Sequence, residues 1–230
     1  MLVTNDDGIG APGIDVLVGV LTERSDLDVV VVAPAENQSG SSDKTTPGGA
    51  AHRAGTTASG VAGTAVAGFP ADAVIVALDV LGIEPDLVVS GINEGQNTGP
   101  LAYVSGTVGA ARTAARRGIP AIAGSAGLGE AADYDLAAAL VAQWIDDNAD
   151  ELRTGASATD TVTSINVPAC TLGGSVKDEL LDVPLAAAIP EGVDPFQSDC
   201  STVPAAPPGD DVAAVSAGYP AATQVPLDAP

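Results

Sequence analysis

Short runs of branched aliphatic residues alternate with helical stripes along this chain, and that alternation restricts its fold more than any other feature. Leu2-Val3-Thr4 reads as a short strand that ends at Asn5-Asp6-Asp7-Gly8. Ile14, Leu17, Val18 and Leu21 then fall at i, i+3, i+4 and i+7, one apolar stripe of a helix. Val29 to Ala33 is a continuous apolar run bounded by Pro34, the pattern of a strand buried on both faces. From Ala71 the residues Val74, Ala77, Leu78 and Leu81 repeat the helical stripe, and Leu87-Val88-Val89 is another buried strand. A helix over Val108 to Ala115, a strand at Ala121-Ile122-Ala123 and a longer helix with Leu136, Leu140 and Trp144 on one face follow. Strands alternating with helices build βαβ units, so the expected fold is of the α/β class, a mostly parallel sheet with helices on both faces. The Gly/Ala/Thr-rich stretch from Pro47 to Gly68 is expected to be irregular or to form short strands.

After about Thr154 the character changes. Val162 to Val167 reads as a late strand that closes the sheet. Beyond it prolines recur (Pro168, Pro184, Pro190, Pro195, Pro204, Pro207, Pro208) and few helical stripes survive. The expected organisation is a core over residues 1–153 and, over 154–230, that strand and an extended arm of short strands, the whole forming one structural domain. The arm has too little apolar surface to stand alone and is expected to pack on the core or on a neighbouring subunit.

Composition narrows the function. Aromatic residues are 3% of the chain, so the core must be aliphatic. A formal net charge of −22 argues against a nucleic-acid polymer as partner, because such binding needs basic residues to displace counterions. The acidic residues are scattered and lysine is confined to Lys44 and Lys177, which favours adaptation to high salt over a dedicated acidic interaction surface. No basic segment leads an apolar stretch at the start, and no apolar run approaches the roughly 20 residues that span a bilayer. A cytoplasmic protein with no membrane partner is therefore expected. In that setting Cys170 and Cys200 are expected to be free thiols, and neither has zinc-site spacing around it. The single histidine, His52, is expected at the surface.

In open parallel sheets ligands bind beyond the carboxyl ends of the strands. Three polar segments stand at such ends: Asn5-Asp6-Asp7-Gly8, Asn37-Gln38-Ser39-Gly40, and Ser90-Gly91-Ile92-Asn93-Glu94-Gly95-Gln96-Asn97. Carboxylate, hydroxyl and amide oxygens are hard donors that suit Mg²⁺ or Mn²⁺. A cation would also relieve the repulsion between adjacent carboxylates. On pattern alone, Asp6-Asp7-Gly8 reads equally as a turn. Ser105-Gly106-Thr107 precedes the helical Val108–Arg112 stretch and forms either an ordinary helix cap or an anion site of free backbone N–H groups. Gly8-Ile9-Gly10-Ala11-Pro12-Gly13 matches the dinucleotide-binding pattern, with Glu36 near the end of the second strand. Against that match, Asp6 and Asp7 would set negative charge beside a pyrophosphate.

These residues carry a resemblance. Val3-Thr4-Asn5-Asp6-Asp7-Gly8-Ile9-Gly10-Ala11-Pro12-Gly13-Ile14 resembles the opening signature of the SurE family of nucleotidases. Val32-Ala33-Pro34 through Asn37-Gln38-Ser39-Gly40, Pro85 through Asn97, and Tyr103 with Ser105-Gly106-Thr107-Val108 are similar to its later blocks. Weaker echoes lie at Gly68–Asp72 and Ala214–Tyr219. The resemblance implies one divalent ion per subunit, Mg²⁺ or Mn²⁺, held by Asp6, Asp7, Ser39 and Asn93. It implies phosphate contacts at Asn97, Ser105, Gly106 and Thr107, a Rossmann-like three-layer α/β/α core, and a C-terminal extension exchanged between subunits of a homodimer or homotetramer. The implied activity is hydrolysis of nucleoside 5′- and 3′-monophosphates and, in some members, of short polyphosphate. The ion would polarise the phosphoryl group and acidify a bound water that Asp6 or Asp7 orients or deprotonates. The rivals are a catalytically silent nucleotide-binding sensor and a nicotinamide-dependent oxidoreductase using the Gly8–Gly13 loop. The chain departs from the family's pattern at Ala35-Glu36, Phe69, Val104 and Thr113, none of them a ligand position, and these departures bear on substrate preference and rate.

Overall fold

The computed structural model describes residues 1–129 and 132–229. Strand β1 (Leu2–Thr4) leads through helix α1 (Pro12–Thr22) to β2 (Val30–Pro34). A hairpin of β3 (Ala51–Thr56) and β4 (Ala62–Ala67) follows, in the stretch expected to be irregular or to form short strands. Helix α2 (Pro70–Ile75) runs into a π-helical turn (Val76–Val80) before β5 (Val88–Glu94). A 3₁₀ turn (Gly99–Tyr103), α3 (Gly106–Ala115), β6 (Ala121–Ala126), α4 (Tyr134–Asp147), α5 (Ala149–Thr154) and β7 (Thr161–Val167) come next. The chain ends with β8 (Leu181–Asp182), α6 (Asp211–Ser216) and β9 (Ala221–Pro226).

The strands form one mixed sheet of nine, ordered β3-β4-β2-β1-β5-β6-β7-β9-β8. The run from β4 to β7 is parallel throughout, so its carboxyl ends share one edge. Successive strand residues face opposite sides. Val3, Val31, Val89, Ile122 and Ile165 pack with α1 and α4 through Ile14, Leu17, Leu21, Ala138 and Val141. Their neighbours Leu2, Val32, Val88 and Ala123 pack with α2, the π-helical turn and α3 through Val74, Ala77, Ala110, Ala111 and Ala114. This is the expected α/β/α layering, and the core is aliphatic. Among the described residues no helix is long and apolar enough to cross a membrane.

Four details differ from expectation or refine it. The face of α4 turned to the sheet is Ala137, Ala138, Val141 and Ile145, while Leu136, Leu140 and Trp144 lie only partly buried along its margin. Small residues let the helix axis approach the sheet, and the larger side chains cover the seam. Strand β7 does not close the sheet: β9 pairs antiparallel along its outer edge, Ile165 opposite Ala222, and β8 follows. That pairing supplies partners for an edge whose residues are buried, which an open edge would lack. The arm therefore returns to its own chain's sheet. Finally, Cys170 and Cys200 are joined in a disulfide, their Cα atoms 5.2 Å apart. The expectation of free thiols weighed compartment and sequence distance; the fold instead brings the two ends of this segment within bridging reach. His52 lies exposed on β3.

Candidate active site

The carboxyl edge of the parallel strands carries the three polar loops. The loop after β1 holds Asn5, whose side chain bonds Gly8 at both its amide and its carbonyl and so closes the turn. Asp6 is buried, 2% exposed, although it is ionisable. Its Oδ1 accepts a 2.5 Å hydrogen bond from the Thr107 hydroxyl at the start of α3. Burial pushes the Asp6 carboxyl above the ordinary range, against bonds from Thr107 and the backbone N–H groups of Thr107 and Gly106 that hold it down. Asp7 accepts from Asn37 Nδ2 at 3.0 Å and from the Glu94 backbone N–H at 2.9 Å. Burial, and next the charge of Asp6, raise the Asp7 carboxyl to about 6.

The second loop is docked on the first. The Gln38 N–H donates to the Asp6 carbonyl at 2.7 Å, and the Ser39 N–H donates to Asn37 Oδ1 at 2.9 Å, which leaves Ser39 exposed at the site. In the third loop the register of β5 against β6 shifts between Ser90 and Asn93. Asn93 Nδ2 donates to the Gly95 carbonyl at 2.5 Å, and among the described residues no donor meets its Oδ1. Asn97 is held from beneath: its N–H donates to Asn166 Oδ1 on β7 at 2.6 Å, and its Nδ2 to Ser125 Oγ on β6 at 3.0 Å. Ser105 caps α3, its Oγ accepting from the Val108 N–H at 3.1 Å. Gly106 leaves no room for a side chain, since a Cβ there would stand 2.8 Å from both the Asp6 Cβ and Ser41 Oγ.

Asp6, Ser39, Asn93, Asn97 and Ser105 line one cavity of about 200 Å³. Asp7 faces an adjoining cavity of about 370 Å³ with Asn37, Tyr134 and the Gly8–Gly13 loop, and Glu94 borders both. Thr107 reaches the site through Asp6 rather than through a free hydroxyl. Among the described residues no ion pair reaches Asp6 or Asp7. No cluster of three or more His, Cys, Asp or Glu suited to a metal occurs among them either. An ion at this place would have to complete its sphere with the Ser39 hydroxyl and the Asn93 carbonyl. The donor set fits one: paired carboxylates without a cationic partner, beside an amide whose oxygen is turned free. A hollow of about 400 Å³ beside Met1, Arg24 and Asp86 lies at the amino ends of β1 and β5, away from these loops.

The family profile described as "Survival protein SurE" matches residues 1–181. The chain belongs to the SurE family. Over 126 residues it is 50% identical to the 5′-nucleotidase SurE of Halobacterium salinarum, covering 54% of this chain and 45% of that protein. Over 145 residues it is 46% identical to the 5′-nucleotidase SurE of Sorangium cellulosum, covering 61% and 53%. The chain thus spans about half the length of the curated relatives it matches. The crystal structure of the SurE protein from Aquifex aeolicus superposes with a TM-score of 0.71 at 29% identity, over all of this chain and 94% of that one. Residues that orient the site and that pattern reading passed over are Ser125 and Asn166, while Asn37, named there only within its segment, is the group that holds Asp7. For Asn166 a signal existed: it is an amide between Ile165 and Val167 in a strand at the sheet's interior, where it is buried.

Proposed function

We propose that this SurE-family chain is a divalent-metal-dependent phosphomonoesterase that hydrolyses nucleoside 5′- and 3′-monophosphates, with short polyphosphate as a further substrate. The observation that carries the reading is the pairing of buried Asp6, which lines a small polar cavity and abuts the start of α3, with Asp7 beside it, without a cationic partner for either among the described residues. Asp6, Asp7, Ser39 and Asn93 would hold Mg²⁺ or Mn²⁺, one ion per subunit. When bound there, such an ion supplies charge neutralisation and Lewis-acid polarisation of a phosphoryl oxygen.

The chain's own groups supply the rest. Ser105 spends its acceptor face on the Val108 N–H, so its proton is free to donate to a phosphoryl oxygen in the cavity. Asn97, clamped by Asn166 and Ser125, offers a second polar group fixed before substrate arrives. Gly106 puts no Cβ between the helix start and Asp6, so the backbone there packs directly against that carboxyl. Thr107 fixes the orientation of Asp6. Asp7, held by Asn37 and the Glu94 amide, has the fixed geometry needed to orient a water for in-line attack. The dinucleotide alternative fares worse, because a pyrophosphate at the Gly8–Gly13 loop would meet Asp7 and Glu94 in the same cavity. A cytoplasmic homodimer or homotetramer is part of the same proposal, and the net charge of −22 supports adaptation to high salt.

The test is phosphate release from AMP with Mn²⁺ in high salt. The expected result is release that chelation abolishes and that Asp7→Asn lowers by at least about 100-fold, the scale of losing one preorganised polar group at a reacting centre. Tight AMP binding without turnover would identify a sensor instead, and a change in NADH fluorescence would identify an oxidoreductase.

A further inference from the structure

The cavity that holds Asp6, Ser39, Asn93, Asn97 and Ser105 has a second wall of different chemistry, formed by Leu101, Val104 and Phe196. Val104 is 53% exposed and Phe196 38% exposed. Large apolar side chains left open at the mouth of a polar cavity mark a surface that a ligand covers. Phenylalanine is scarce here, with two in the chain, and the other, Phe69, sits half-buried at the start of α2.

Phe196 is also held in place. Its N–H donates to Asp194 Oδ1 at 2.9 Å, and Gln197 returns to Asp194 through its backbone N–H at 3.1 Å and its Nε2 at 2.8 Å. Just beyond, the Ser198 carbonyl accepts from the Leu172 N–H at 3.0 Å, and Cys200 is tied to Cys170. The ring therefore stands on a tight turn anchored by a covalent bond four residues away, so little backbone freedom remains to be lost on binding.

We propose that Phe196, with Val104 and Leu101 beside it, seats the planar base of a nucleotide whose phosphate occupies the polar wall. This rests on the nucleotidase reading and deepens it by naming what the site recognises beyond phosphate. An aromatic face accepts any base, because every base presents a π-surface, so the seat favours nucleotides over base-free phosphate esters without choosing strongly among bases. A sugar phosphate or a polyphosphate gains nothing from it.

The deciding experiment is calorimetric binding, in Mg²⁺ and without reliance on turnover, of AMP and of ribose 5-phosphate to the wild-type chain, Phe196→Ala and Phe196→Tyr. Expected are AMP binding about tenfold tighter than ribose 5-phosphate in the wild type, loss of that preference in Phe196→Ala through weaker AMP binding alone, and its retention in Phe196→Tyr. Equal weakening of both ligands in Phe196→Ala would assign Phe196 a structural role and overturn the proposal, as would no change in either. Wild-type binding of AMP with the Phe196-dependent preference but no phosphate release would sink the nucleotidase reading while the base seat stands. Failure of the wild type to bind either ligand would remove both.

Discussion

Strands β1, β5 and β6 at the centre of the sheet and strands β9 and β8 at its far edge share one hydrogen-bonded layer but are held by different means. The central strands lie between two helical layers, and Leu2, Val3, Val88, Val89 and Ile122 are almost wholly removed from solvent. Their stability is spread over many aliphatic contacts, each small. The segment that leads to β9 runs through long irregular stretches and is fastened at points. One is the Cys170–Cys200 bond. A second is buried Asp211, which accepts from the N–H groups of Gly99, Ala186 and Val212 at 2.8, 2.8 and 2.9 Å. A third is Lys177, whose ammonium donates to the carbonyls of Cys200 and Ala217 and lies 4.8 Å from the Tyr219 ring centre. A distributed core tolerates local loss by sharing it. A pinned segment loses its position when one pin goes, and here that position sets Phe196 at the mouth of the site.

The largest effect expected from breaking this contrast comes at the centre. Ile122 is fully buried among Val89, Ile165 and Val141, and Ile122→Ala should cost about 2–5 kcal/mol. Because that loss falls on the shared core, a single urea transition should move as a whole and amide exchange should quicken from β1 to β9 alike. Faster exchange confined to β6 would show that the sheet is not one cooperative unit.

A comparable or smaller loss, but a local one, should follow reduction of the disulfide with the chain otherwise intact. Closing a loop of this kind is worth about 2–4 kcal/mol. The amides of Leu172 and Cys200, which bond the Ser198 and Gly173 carbonyls, should lose protection on adding dithiothreitol, while those of β5 keep theirs. If β5 exchanged as fast as the tethered segment, the pin would be supporting the core and the distinction would fail.

The same division explains what could be read in advance. The central strands and helices were legible because period and run length are properties of neighbouring residues, and the site loops were legible because parallel strands place their carboxyl ends together. Asp6, Ser39, Asn93, Asn97 and Ser105 do meet at one cavity, and Asp7 faces the adjoining one. What escaped were pairings across long stretches of chain: Asp6 with Thr107, Asn97 with Asn166, Asp211 with Gly99, and Cys170 with Cys200. Each joins single residues that carry no periodic mark, so only the folded chain reveals the partner. The Thr107 hydroxyl is an example: nothing in its place at a helix start marks Asp6, 101 residues away, as the carboxylate it bonds.

The smallest effect expected sharpens the contrast from the pinned side. Asp210 caps the short helix α6 by accepting from the Ala213 N–H at 2.8 Å, and Asp210→Ala should cost about 1 kcal/mol, with Asp210→Asn restoring most of it. The helix has six residues, too few to persist without its cap and its packing. Its first residue is Asp211, so fraying at the cap should be felt at the Gly99 and Ala186 amides before any core strand responds. Amide exchange at those two positions, compared with β1, gives the measurement. A response at β1 equal to that at Gly99 would mean that α6 belongs to the core after all, held by shared packing and not by the cap and the buried carboxylate.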